Sequence, residues 1–137
     1  MLCEGGLLPG TLRPNASLSF ACRDVDVVVE REDTPFTTRA EQGQRLAMPI
    51  KHGEGCYFAD DELLAQLDAN RQIALRYADN PNGSVADVAG VVNADGTVFG
   101  LMPHPEHAVD PLLGPSGGAL VLGSLVDAAR ERTFAPA

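Results

Sequence analysis

In the stretch GLMPHPEHAV, residues 100–109, a histidine and a glutamate stand two positions apart, His104 and Glu106, each preceded by a proline. A carboxylate that accepts one imidazole N–H fixes the tautomer of the ring. The other nitrogen is then free to take a proton from a nucleophile. The prolines at 103 and 105 exclude a regular helix and stiffen the chain around the pair. On extended backbone, residues i and i+2 share a face. Spacing alone leaves two readings open: a general base with its orienting carboxylate, or a surface turn carrying two solvated groups. His107, beside the pair, reads as a solvated neighbour.

A second constellation is His52-Gly53-Glu54-Gly55. Two glycines around a charged residue let the backbone come close to a ligand, or simply make a tight strand-to-helix turn. A His–Glu pair also needs a nucleophile, and a cysteine thiolate is the natural one. The chain has three cysteines, Cys3, Cys22 and Cys56. Cys22 lies in an alternating strand pattern, Cys56 is not set on a strand-to-helix elbow, and only two residues precede Cys3. None has the glycine-flanked setting that exposes a thiolate at a helix start.

The elements that must hold these residues follow from periodicity. SLSFACRDVDVVVE (17–30) alternates and is rich in Val, so it predicts a long strand, and RLAMPI (45–50) a second, buried one. KHGEGCYFAD (51–60) reads as a loop emptying into a helix capped by Asp60, with Leu63, Leu64 and Leu67 as its apolar stripe. QIALRYA (72–78) is a further strand, closed by the turn DNPNG. VAGVVNADGTVFGLM (88–102) predicts a hairpin about Asn93-Ala94-Asp95-Gly96, its Asp-Gly suited to positive φ, that leads straight into the Pro-His-Pro-Glu turn. A last helix runs over about 118–132. This order indicates α/β architecture in one undivided domain. MLCEGGLLPG resembles the end of a helix meeting a Gly-Gly stop.

With 137 residues and a formal net charge of −9, the chain has the size of one domain and the wrong sign for nucleic acid or an anionic membrane. No apolar run approaches a membrane span, and the opening residues lack the basic start and apolar stretch of a signal peptide. Irregularly spaced cysteines outside any CxxC pattern predict reduced thiols, no zinc site and a cytoplasmic location.

Taken together, CEGGLLPGTLRPNASLSFACRDV, PIKHGEG, RYADNPNGSVADVAGVVNADGTVFGLMPHPEHAV and PLLGPSGG closely resemble the class I (triad) glutamine amidotransferases. Within that family the likeness is to the glutaminase subunits of phosphoribosylformylglycinamidine synthase, and it runs from about residue 2 to residue 129. The resemblance implies the C-terminal portion of a doubly wound α/β fold, with 1–137 as part of one amidotransferase domain. It implies a Cys–His–Glu triad in which His104 is the general base and acid, Glu106 its orienter, and His52 a supporting substrate residue. Cys3 would match a downstream, non-catalytic cysteine of the family, and the nucleophile elbow would fall before Met1.

The same resemblance implies glutamine as substrate, with a large synthetase subunit and a small accessory subunit as partners. ATP and magnesium would be used by the synthetase, and no cofactor would be held by this chain. An isolated 137-residue chain is then expected to be inactive and poorly packed along the sheet edge. Two rivals stand beside this reading: a catalytically dead module that only docks on the synthetase, and an unrelated hydrolase using Cys56 as nucleophile.

Overall fold

The structure, a computed structural model, describes residues 2–134, and side chains up to residue 132. Seven strands and two helices follow in order. They are β1 (Thr11–Arg13), β2 (Ala21–Val29), β3 (Arg45–His52), β4 (Cys56–Phe58), α1 (Asp61–Ala69), β5 (Ile73–Tyr77), β6 (Val88–Val92), β7 (Phe99–Leu101) and α2 (Gly118–Phe134). Five strands form one sheet in the order β3-β2-β5-β6-β7, while β1 and β4 pair separately. All these ladders are antiparallel. The architecture is the expected mixed α/β class, with a curled antiparallel sheet.

Burial explains the patterns. In β2 the alternate residues Val25, Val27 and Val29 are buried against Leu46, Met48 and Ile50 of β3 and Leu75 and Tyr77 of β5, while Cys22, Asp24 and Asp26 face outward. Strands β5 and β6 lie inside the sheet and are buried on both faces, which is why VAGVV shows no alternation. A second cluster joins Leu8, Tyr57, Leu67, Ile73, Val88 and Val91, and seats α1 through Leu67. At the start of α1, the Asp60 side chain accepts from the Leu63 amide at 2.8 Å, with Asp61 and Glu62 in the first turn.

One expectation needs correction. The segment 51–60 is not one loop: β3 continues to His52, and Cys56–Phe58 forms β4 against β1. The hairpin expected about Asn93-Ala94-Asp95-Gly96 joins β6 to β7, with Gly96 at a positive φ of 68° and the Asn93 side chain accepting from the amides of Thr97 and Val98. The reading of residues 2–7 as a helix stop is borne out in its hydrogen bonds. Leu7 N–H donates to Leu2 O and Gly6 N–H to Cys3 O, with Gly6 at a positive φ of 72°, the Schellman pattern.

Strand β3 is an edge, and its covering builds the site. In a strand, a residue's N–H and C=O point to the same side, so Pro49 can sit there without losing a ladder bond. Its carbonyl points off the edge and accepts from the His104 amide at 2.8 Å. Two residues earlier, Gly117 packs so closely on Ala47 that an added Cβ would lie 2.8 Å from both its N and O. The Pro-His-Pro-Glu turn and the Gly-Gly start of α2 therefore cap one strand edge together.

Candidate functional site

Residues 105–107 form one 3-10 turn, begun by Pro105 at a position where a missing N–H is harmless. His107 N–H donates to His104 O, and Ala108 N–H to Pro105 O. Outside the turn, Ala119 N–H donates to Ala108 O, tying the start of α2 to its exit. Backbone bonds thus hold the turn from both sides before any side chain is considered.

Within this frame His104 Nδ1 lies 2.7 Å from Glu106 Oε1. A carboxylate only accepts, so Nδ1 carries the proton and Nε2 is the free, basic nitrogen. The pair lies at the surface, with 36% and 54% of the two side chains exposed. Burial pushes the Glu106 carboxyl up, but hydrogen bonds from His104 and its own backbone, with the His104 and His107 rings facing it, outweigh it. The acid is held below the ordinary glutamate range.

His107 is exposed, as its neighbours in the sequence suggested, but it is not idle. Its ring stacks on that of His104, with centroids 5.4 Å apart and planes 16° off parallel. The Lys51 ammonium sits 3.1 Å from its Nδ1. His104, Glu106 and His107 form a two-histidine, one-carboxylate group compact enough to suggest a metal centre. The lysine argues otherwise. A metal-bound histidine gives its other N–H to an acceptor, and here that second nitrogen faces a donor.

His52 lies elsewhere, at the end of β3, only 7% exposed. Asn15 fixes it: the Asn15 amide donates to the carbonyls of Ser19 (2.8 Å) and His52 (2.7 Å), so its oxygen must accept. That oxygen takes Gly55 N–H at 3.1 Å and His52 Nδ1 at 2.9 Å, which places the proton on Nδ1. On the other side Nε2 faces the Asn82 amide nitrogen at 3.5 Å, a group that also donates to Gly55 O at 2.7 Å. A neutral imidazole is the form both neighbours accept. Burial pulls the His52 proton affinity down, its own backbone hydrogen bond opposes this, and His104 adds to the lowering. Gly55 is a glycine because the ring lies against it: an added Cβ would fall 2.3 Å from His52 Nδ1.

The network extends through Asn82 Oδ1, which accepts from Ser84 Oγ at 2.7 Å, and Ser84 Oγ in turn accepts from Tyr57 N–H at 3.0 Å. Among the described residues no buried side-chain polar atom lacks a partner. RPNAS, HGEG and NPNGS, far apart in sequence, thus meet around one ring. Asn15 and Asn82 had no signal of their own; each reads as an ordinary turn residue. Glu54 of the same loop is exposed.

The cysteines do not complete the turn. Among the described residues, none of Cys3, Cys22 or Cys56 hydrogen-bonds His104. Cys22 is exposed on β2, and the other two are partly buried. Burial pushes the Cys3 thiol up, and its sulfur points at Pro9 O, 3.7 Å away.

Comparison with known proteins places this geometry in context. Residues 1–116 match a family described as CobB/CobQ-like glutamine amidotransferase domain. A solved structure described as PurLQS from Thermotoga maritima superposes with a TM-score of 0.83 at 44% identity, over 93% of this chain. The chain spans 57% of the length of that relative's chain. No helix among the described residues is long and apolar enough to cross a membrane.

Proposed function

The chain belongs to the CobB/CobQ-like glutamine amidotransferase family, and from that premise we propose that it serves as the glutaminase part of a formylglycinamidine ribonucleotide synthase. The observation that carries the reading is the 2.7 Å contact between His104 Nδ1 and Glu106 Oε1 on a turn pinned to β3.

In this reading a cysteine thiolate attacks the side-chain amide carbon of glutamine, and backbone N–H groups hold the oxyanion. His104, protonated on Nε2, gives that proton to the leaving nitrogen, and ammonia departs from a thioester. The same nitrogen then takes a proton from water, which attacks the thioester and releases glutamate. Glu106 holds the ring in one tautomer throughout and stabilises the imidazolium. Both nitrogens of His52 are committed to asparagines. Its support for the substrate is therefore the shape it imposes on the Gly53–Gly55 backbone.

The ammonia passes to a large synthetase subunit, with a small accessory subunit, where ATP and Mg²⁺ drive amidine formation in purine synthesis. In this reading the nucleophile is supplied from outside residues 2–134, which the lack of a hydrogen bond from any of the three cysteines to His104 supports. The same observation supports a second reading, in which the chain alone is inactive and acts only as a docking module. A glutaminase assay separates them. The 137-residue chain by itself is expected to show no turnover. Joined behind a strand and cysteine elbow of the family, it is expected to hydrolyse glutamine in a His104-dependent way. If that joined protein neither hydrolyses glutamine nor binds a synthetase subunit, the proposal is wrong.

A further inference from the structure

We propose that Lys51 and His107 form a positioning pair that locks the ring of His104 and the carboxylate of Glu106 in register. This deepens the reading of His104 as general base and rests on it.

The argument starts from which atoms can donate. A lysine ammonium has donors only, so at 3.1 Å from Lys51 Nζ the His107 Nδ1 must be the acceptor. His107 is then a neutral ring with its proton on Nε2. That Nε2 lies 4.0 Å from Glu106 Oε1, the oxygen that also accepts from His104 at 2.7 Å. The distance is too long for a hydrogen bond, so the contact is an electrostatic one. Two N–H groups thus converge on one carboxylate oxygen, one in contact and one behind it.

The stack does the rest. The His107 ring lies parallel to the His104 ring at a centroid distance of 5.4 Å and so bounds one side of it. Lys51 stands on β3, two residues beyond Pro49, whose carbonyl holds the His104 amide. The turn is therefore anchored to β3 twice, once by backbone and once by side chains. The second anchor ends on the imidazole itself. Neither Lys51 nor His107 touches the reacting atoms in this scheme; each acts through another residue.

The test reads the His104 ring directly, by long-range ¹⁵N–¹H correlation of histidine-labelled chain. Wild type is expected to show His104 protonated on Nδ1 and His107 on Nε2. With Lys51→Met, the His107 nitrogens should move toward equal shifts as its tautomer is released, and the shift difference between the two His104 nitrogens should shrink with them. With His107→Ala, the shift difference between the two His104 nitrogens should shrink as ring and carboxylate lose register. His107→Phe keeps a stacking ring without nitrogens and should restore part of that difference. His52, boxed by Asn15 and Asn82, reports folding in every variant: its signals should stay unchanged.

In an active assembled glutaminase, His107→Ala should lower kcat about tenfold with KM for glutamine unchanged, a fraction of what acid–base catalysis supplies. Unchanged His104 shifts in both Lys51→Met and His107→Ala, with His52 intact, would overturn the proposal. Because Lys51 is exposed, its variant carries the test even where the His107 variants fold poorly. Absence of glutaminase activity with the expected shifts would sink the proposed function and leave the positioning pair standing.

Discussion

The side chain that Gly118 lacks would fall 2.0 Å from the carbonyl oxygen of Pro105. Helix α2 therefore begins in contact with the backbone of the turn that carries His104 and Glu106. No other residue type fits there without moving one of the two. Gly118→Ala should destabilise the fold by about 1–3 kcal/mol, the usual range for overpacking a tight site. Chemical denaturation would measure it. The same variant should weaken the His104–Glu106 contact, because the carbonyl that must retreat belongs to the residue between them.

His52 sets a pH dependence whose sign follows from its tautomer. Its folded-state proton affinity lies below the ordinary value of 6.5. The unfolded chain therefore binds the proton first as pH falls, and ΔG of unfolding rises with pH through that window. The contribution is fully present above about pH 6.5 and is lost as pH drops toward the depressed folded value. Urea melts at pH 7.5 and pH 5.5 should show lower stability at the acid end, and His52→Gln should flatten the difference. The Glu106 carboxyl, held below its ordinary 4.5, acts in a lower window: its stabilisation is present above 4.5 and lost as pH falls further.

Glu106→Gln removes the charge that fixes the His104 ring while keeping its volume. Gln can turn its amide nitrogen toward the ring, which reverses the donor order and favours the wrong tautomer. In an active glutaminase assembly kcat should fall by about 10³–10⁴-fold, as for the equivalent carboxylate-to-amide change in a triad. Binding of glutamine should change little. A drop of less than tenfold would mean that Glu106 does not orient the base.

What could be read from the sequence divides along physical lines. Strands β2, β3 and β5, the cap at Asp60 and the last helix announce themselves by periodicity and capping chemistry, which are local. The His104–Glu106 pair was visible too, because two prolines and a short spacing leave few chain paths. The Asn15–His52–Asn82 cluster was not, since its members are 37 and 30 residues apart and each looks like turn chemistry alone. The same holds for Lys51, whose partner His107 lies 56 residues away. Gly118 looked only like a helix start; the packing shows that Gly117, against Ala47 of β3, and Gly118, against Pro105 of the turn, are there for want of room.

The cysteines give the sharpest check on which thiol can act. Cys22 is exposed on β2, directly opposite Lys51 in the strand register. Cys56 is partly buried where β4 pairs with β1. The Cys3 thiol is pushed up by burial and aimed at the Pro9 carbonyl, so little of it is thiolate at neutral pH. Labelling with an aromatic disulfide at pH 7.5 should modify Cys22 first, with Cys3 slower by about tenfold or more, since only the thiolate attacks. Cys56 should lag behind Cys22 because its sulfur is less accessible, and His104→Ala should leave its rate unchanged. A fast Cys56 that slows in the His104 variant would instead make Cys56 the nucleophile. The triad would then be complete within this chain.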